Sequence, residues 1–264
     1  MGNKFLRLFL IVISFLAVSV GLASCGNTYT PSYDNLSFTV ISEEEKICEV
    51  NGYKKYYNDE RDNNIYIPKM WNDYKVTSIG ESAFFVCESL SSIVIPNSVT
   101  SLGGYVFHDC ASLSSVKIGN GVTSIGDDTF YGCSSLSSIV IPGSVTSIGR
   151  SAFQHCDSLN SIVIPDSVTS IGELAFQFCG SLNSIVIPNS VTSIGELAFS
   201  FCPSLSSIVI PDSVTSIGRA VFYRSNSLSD VYYIGSEEQW NAISIDKSNS
   251  DLYSATIHYN YNGK

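Results

Sequence analysis

A step of 23 residues governs most of this chain. Val76, Val99, Val122, Val145, Val168, Val191 and Val214 stand 23 residues apart. Phe84 through Phe222, Gly80 through Gly218 and Leu90 through Leu228 keep the same step, with no insertion across seven units. The unit reads Val-Thr-Ser-Ile-Gly-x-x-Ala-Phe-x-x-Cys-x-Ser-Leu-x-Ser-Ile-Val-Ile-Pro-x-Ser, and its positions are numbered 1–23 from the valine. A single unit buries too little apolar surface to offset the conformational entropy lost in ordering it. Its faces must therefore be covered by the units before and after it. A gapless period of this kind specifies a solenoid.

Each part of the unit implies a local structure. Ile93-Val94-Ile95 is β-branched throughout, and in a strand its two isoleucines share one face. Pro96 and Asn97 end it with turn chemistry. Val99 and Leu102 straddle Thr100-Ser101, the pattern of a second, shorter extended segment on the opposite wall. Gly103 permits a sharp turn. Ala, Phe, Cys and Leu follow at spacings of one, three and three, which mark one face of a single helical turn. The expected architecture is a β-rich repeat solenoid of short strands and single helical turns. Seven units fill residues 76–230, between an N-terminal cap at 41–75 and a C-terminal cap at 231–264. At about 4.8 Å per strand the sheet would run roughly 30–35 Å.

Leu90-x-x-Ile93-x-Ile95 followed by Pro96, together with the Ile-Gly-x-x-Ala-Phe-x-x-Cys run, resembles the BspA-type leucine-rich repeat of bacterial surface proteins. The resemblance covers residues 76 to about 234 and implies a leucine-rich-repeat solenoid with an adhesin-like role. The flanks are similar to that family's caps. Ile65-Tyr66-Ile67-Pro68 resembles the opening strand, with a longer loop from Lys69 to Lys75. Tyr232-Tyr233-Ile234-Gly235-Ser236-Glu237-Glu238-Gln239-Trp240 resembles the closing cap, and Trp240 is expected to lid Phe222.

The first residues read as an address. Lys4 and Arg7 precede an apolar run from Leu8 to Val20, and small residues lead to Cys25. That is the layout of a secretory signal. Leu22-Ala23-Ser24-Cys25 resembles a bacterial lipobox, which implies acylation of Cys25 after removal of residues 1–24. An ordinary cleaved signal and an uncleaved anchor are the competing readings. The run of 13 apolar residues is short for a span needing about 20. A lipid on Cys25 would hold the protein at a membrane without a spanning helix. This predicts a lipid-anchored protein of the bacterial cell envelope, on the surface of the outer membrane. Residues 25–40 read as a tether, and Ser42-Glu43-Glu44-Glu45-Lys46 as a solvated turn between strands.

The chain carries eight cysteines. Cys87, Cys110, Cys133, Cys156, Cys179 and Cys202 all fall at position 12, and Ser225 replaces the seventh. Stacked coils would bring neighbouring Cα atoms within disulfide reach, but parallel Cα–Cβ directions oppose the required dihedral. Serine at the last rung favours a buried column that donates to backbone carbonyls. Disulfides remain the alternative. No short-spaced ligand quartet marks a metal site. Cys48 belongs to the N-terminal cap as a half-buried residue.

Nothing in the sequence carries catalysis. His108, His155 and His258 read as exposed turn residues. Glu81, Asp127, Glu173 and Glu196 follow the repeat glycine and read as complements to the dipole of the helical turn rather than as a glycosidase pair. No phosphate loop, dinucleotide motif, nucleophile elbow or zinc motif occurs, and no cofactor is implied. Only 14% of residues are charged and the net charge is −10, a balance that opposes nucleic-acid binding. Serine supplies the polar coat instead.

The remaining candidate is a surface. If Ile93 and Ile95 point inward, Val94 points out, and position 19 forms a file of Tyr66, Val94, Lys117, Val140, Val163, Val186, Val209 and Tyr232. One reading is strand propensity; the other is a docking stripe for a protein partner, with Lys117 opposing uncontrolled stacking. Leu174 and Phe178 beside Leu197 and Phe201 form either an outer apolar patch or packing between coils. The expected function is a membrane-anchored interaction protein binding a host or neighbouring-cell surface protein. A glycan-binding module and a structural spacer are the alternatives.

Overall fold

The computed structural model describes residues 35–53 and 63–263. The signal peptide, Cys25 and most of the tether lie outside the described residues. Two columns of parallel strands run the length of the molecule. The long-strand column holds Ser92–Val94, Ser115–Lys117, Ser138–Val140, Ser161–Val163, Ser184–Val186, Ser207–Ile210 and Asp230–Tyr233. The opposite column holds Ser101–Leu102, Ser147–Ile148, Ser170–Ile171, Ser193–Ile194 and Ser216–Ile217, with Ile125 contributing a single bridge to Ile148. Pairing is in register at the repeat step, as in Ile139 with Ile162 and Ile185 with Ile208. The long-strand column is hydrogen-bonded in three blocks, spanning 64–117, 138–163 and 184–258.

An arc joins each short strand to the next long strand. The expected helical turn is present only as overlapping tight turns. Ala198 N–H bonds the Gly195 carbonyl at 3.3 Å, Ser200 N–H that of Leu197 at 3.1 Å, and Cys179 N–H that of Phe176 at 3.3 Å. Positions 7 and 11 are left-handed in every arc, including Leu174 and Phe178 at φ 60°. A left-handed residue breaks a helix, so the arc never becomes one. The strain is offset by ladder bonds to the next coil. Leu174, Phe176 and Phe178 donate N–H to the carbonyls of Glu196, Ala198 and Ser200 at 2.8–3.1 Å. Buried backbone donors are thus satisfied between coils rather than within one.

Three walls enclose one continuous core. Phe84, Phe107, Phe130, Phe153, Phe176, Phe199 and Phe222 form a fully buried stack with centroids 5.3–5.9 Å apart, and Tyr53 extends it at the N-terminal end. The serine and threonine coat also fastens neighbouring coils. Thr146 Oγ1 donates to the Thr123 carbonyl at 3.2 Å, and Ser213 Oγ to the Val191 carbonyl at 2.7 Å. Uncharged hydroxyls repeat along a column without the repulsion that stacked like charges would bring.

The N-terminal cap is a hairpin of β1 (Leu36–Ser42) and β2 (Ile47–Tyr53), turned at residues 43–46 as the sequence suggests. The cap strand thus begins before residue 41, and Leu36–Val40 belong to it rather than to the tether. Next comes β3 (Asn64–Tyr66), which joins the long-strand column beside Ser92–Val94. The segment expected as a loop from Lys69 to Lys75 is another hairpin, β4 (Met70–Trp71) with β5 (Tyr74–Ile79), turned on left-handed Asn72. Strand β5 also pairs with β2, where Cys48 and Val50 are fully buried.

The C-terminal cap is a coil of altered length. Helix α1 (Glu237–Asn241) stands at the corner, closed by a capping box of Ser236 and Gln239. Ser244–Ile245 and Thr256–His258 extend the two strand columns, and helix α2 (Ser250–Ser254) takes the place of the arc. Trp240 does not lid Phe222 as expected. It packs edge-on against Tyr233 at 5.1 Å, because the corner lies between the long and short strands whereas Phe222 belongs to the arc. Among the described residues every core residue lies from Leu36 to Leu252, so a chain of residues 26–264 retains the whole described core and both caps.

Candidate functional site

The long-strand face carries the candidate stripe. Ile93 and Ile95 are buried at 1% exposure, and alternation turns position 19 outward between them. Val140 is 70% exposed and Val163 is 37% exposed, at the middle of the file. Lys117 and Tyr66 are exposed, while Val94, Val186, Val209 and Tyr232 are half-buried by their neighbours. The ring of Tyr232 stacks on His258 and lies tilted against Tyr261, each 4.7 Å away. Polar residues border the stripe. Position 17 is serine from Ser92 to Ser207, and position 22 reads Asn97, Asn120, Gly143, Asp166, Asn189 and Asp212.

His258 is therefore no turn residue: it lies on the last strand of the long column. Its Nε2 is 2.7 Å from Asp230 Oδ1, and Ser229 Oγ donates to Asp230 Oδ2 at 2.7 Å. The Ser229 hydroxyl, then the His258 contact, hold the Asp230 carboxyl below its ordinary pKa. The carboxylate sits between hydroxyl and imidazole, so the order is not that of a nucleophile activated by histidine.

His108 and His155 also differ from the exposed turn residues expected. His108 stacks between Phe85 at 5.0 Å and Tyr131 at 4.4 Å. His155 stacks on Phe178 at 4.3 Å and meets the edge of Tyr131. Phe178 continues to Phe201 at 4.5 Å, then to Tyr223, with the Arg224 guanidinium 5.5 Å from the Phe201 centroid. This outer aromatic file stands at position 10 in the first three units, at position 11 from His155 to Phe201, and again at position 10 in Tyr223. Where it leaves position 10, an amide chain replaces it: Gln154 Nε2 donates to Gln177 Oε1 at 2.6 Å, and Gln177 Nε2 to Ser200 Oγ at 2.8 Å. Phe178 and Phe201 pack between coils while remaining half-buried. The visible signal was aromatic recurrence at 23 residues with an offset of 24 between Tyr131 and His155 and one of 22 between Phe201 and Tyr223.

The carboxylates after the repeat glycine do not complement a helix, since the arc contains none. Asp127 Oδ1 accepts the Arg150 N–H at 2.8 Å, Arg150 approaches Glu173 at 3.8 Å, and Glu196 pairs with Arg219. These ion pairs are exposed and contribute little to stability. Among the described residues no group of three or more His, Cys, Asp or Glu is placed to hold a metal.

The position-12 column is buried. Cys110, Cys133, Cys156, Cys179 and Cys202 are free thiols whose Sγ atoms lie 3.1–3.3 Å from the carbonyls of Phe84, Phe107, Phe130, Phe153 and Phe176. Cys87 opens the column, 3.9 Å from the Phe85 carbonyl. Ser225 closes it, donating to the Phe199 carbonyl at 2.7 Å and accepting the Cys202 N–H at 3.2 Å. Burial lifts Cys110 and Cys202 to about 12 and raises Cys133, Cys156 and Cys179 well above the ordinary value. The fold therefore favours the protonated thiol. Its stability is fully present below the ordinary thiol pKa of about 8.5 and falls as pH rises from there toward 12. In native protein these thiols should react with a disulfide reagent only as fast as the chain unfolds, and unfolding should accelerate with alkalinity. Prompt labelling of folded protein would overturn the buried column.

Comparison with known proteins agrees with this geometry. The family model for the BspA type leucine rich repeat region matches in six copies, over residues 52–179 and 146–258. Among solved structures, the chain is similar to a leucine rich repeat protein of T. pallidum at 26% identity and TM-score 0.67, covering 75% of this chain and 90% of that one. It is also similar to a leucine-rich repeat protein from Bacteroides ovatus at 27% identity and TM-score 0.52, covering 88% and 71%. A leucine rich cell surface protein from Faecalibacterium prausnitzii shares the fold at 22% identity and TM-score 0.50, covering 83% and 98%. Comparison with curated proteins finds no match. A family match across most of the chain, on a 23-residue solenoid whose buried ladder follows the same repeat, fixes the assignment: the chain belongs to the BspA type leucine rich repeat family.

Proposed function

We propose that this is a membrane-anchored interaction protein of the bacterial cell envelope, adhesin-like, which binds a protein partner through the long-strand face. The observation that carries the reading is the apolar stripe at position 19, with Val140 at 70% exposure on a sheet bordered by serine at position 17 and by Asn, Asp and Gly at position 22. Valines in strands need no solvent exposure to stabilise a solenoid, whereas an uninterrupted run of valines, from Val140 to Val209, on a polar face is what a partner desolvates. The Leu22-Ala23-Ser24-Cys25 sequence supports anchoring by lipid on the outer membrane. Stacking of Tyr232 on His258 favours the protein reading over the glycan one, since a sugar would need that ring face.

The test is a Val140→Asp/Val163→Asp/Val186→Asp variant, compared with native protein in pull-downs from host-matrix and envelope proteins and on a glycan array. The variant should fold, because the residues lie outside the core, and should lose at least tenfold in partner affinity. Undiminished binding by the folded variant sinks the stripe. Binding to glycans that survives the substitutions would favour the glycan module instead. Proteolysis of intact cells should remove the protein from the surface.

A further inference from the structure

The stripe is close to palindromic, and its flanking charges are not. Read along the long-strand column, position 19 runs Tyr66, Val94, Lys117, Val140, then Val163, Val186, Val209, Tyr232, with His258 in a ninth place beyond Tyr232 that overhangs the symmetric part. The two most open valines, Val140 and Val163, flank its centre. Exposed cations stand in the first half: Lys117 on the stripe and Lys69 beyond Pro68, in register with Asn97. Exposed acids stand in the second half: Asp166 and Asp212 at position 22, then Glu237 and Glu238 in the first turn of α1. Asp230 adds a half-buried carboxylate there. Position 13 carries Glu88 in one half and Asp157 in the other, which leaves the polarity unchanged.

We infer that the partner of this face is a second copy of the chain, docked antiparallel about a two-fold axis that lies along the strand direction between Val140 and Val163. The inference rests on the stripe being a protein-binding surface. A two-fold interface sets each residue against its counterpart on the other copy. The register places Tyr66 opposite Tyr232, Val94 opposite Val209, and Val140 opposite Val163. Lys69 then meets Glu237 and Glu238. The stem of Lys117 lies on Val186, with its ammonium reaching toward Asp166 and Asp212 of the second copy. A parallel arrangement about an axis along the column would instead set Lys117 against Lys117 and carry Lys69 and the acids to opposite edges of the face, away from each other. The eight strands that overlap in this register, at about 4.8 Å each and a width of about 12 Å, give roughly 450 Å² per copy. That is the low end of specific interfaces, so the dimer is weak, with a dissociation constant on the order of micromolar or above.

Sedimentation equilibrium on residues 26–264, from low to high micromolar concentration, tests this. A monomer–dimer equilibrium that tightens at low salt is expected. Val140→Asp/Val163→Asp, checked for native circular dichroism, should weaken it at least tenfold, because each change counts twice across the axis. Lys69→Glu should weaken the dimer at low salt, and adding Glu237→Lys and Glu238→Lys should restore it. Lys69→Cys mixed with Glu238→Cys should cross-link through a short bis-maleimide, whereas Lys69→Cys alone should not. A monomer at every concentration, a dimer indifferent to the valine change, or cross-linking of Lys69→Cys with itself overturns the antiparallel dimer. A monomer whose valine variants still lose capture of another protein overturns only the self-association. A monomer whose variants keep that capture overturns the stripe as well.

Discussion

Phe153→Ala is expected to cost about 3–5 kcal/mol in unfolding free energy, the range for removing a buried aromatic ring. The ring is fully buried, with Phe130 at 5.4 Å on one side and Phe176 at 5.3 Å on the other. Truncation removes its burial, opens a cavity, and takes both stacking partners, each pair worth roughly 0.5–1.5 kcal/mol beyond area. The surrounding arc cannot collapse into the space, because its backbone is bonded to coils above and below. In a one-dimensional stack, such a break also weakens coupling between the halves. Urea unfolding followed by circular dichroism should show a lower midpoint and a broadened transition. Phe222→Ala provides the comparison. Phe222 has only Phe199 beside it in the file, at 5.9 Å, and should cost less. Equal costs, or a Phe153→Ala cost under about 1 kcal/mol, would contradict a continuous load-sharing stack.

Gly172→Ala is the second large effect, through the backbone rather than a lost side chain. A Cβ there would sit 2.6 Å from the Gly149 carbonyl carbon, 2.7 Å from its oxygen and 2.8 Å from the Arg150 nitrogen. These are backbone atoms of the preceding coil, held by the Gly172 N–H bond to the Ile148 carbonyl at 2.9 Å. Neither coil can yield without opening the ladder. The cost should reach about 3 kcal/mol, the upper part of the range for overpacking. Gly143→Ala is the control within the same fold, since nothing lies within 4 Å of its added Cβ. That change should be neutral or slightly stabilising, by up to about 1 kcal/mol through the unfolded chain. Similar thermal midpoints for the two alanine variants would show that close approach of coils is not what position 5 requires.

The geometry of the stripe and of the cysteine column is legible in the sequence. Position 19 alternates with buried isoleucines, so its outward direction followed from strand geometry alone. The cysteine column was legible for the same reason: Ser225 shows which chemistry the site tolerates, a small donor facing a carbonyl. The cap hairpin at Met70–Tyr74 was missed because its strands are two residues long where it turns, too short for any periodicity. The histidines were misplaced because a ring's exposure depends on what stands 23 residues away, not on its neighbours in sequence.

The sequence by itself determined the solenoid, its unit and its inside and outside, because each unit repeats the same local pattern and the period forces the units to stack. Tertiary structure alone decided the left-handed arcs, the Asp127–Arg150–Glu173 pairing, the aromatic file that crosses at Tyr131, and the packing of Trp240 on Tyr233. The reason is common to all four. Each is a contact made around or between coils, where backbone donors and side chains find partners only after the chain has turned back on itself.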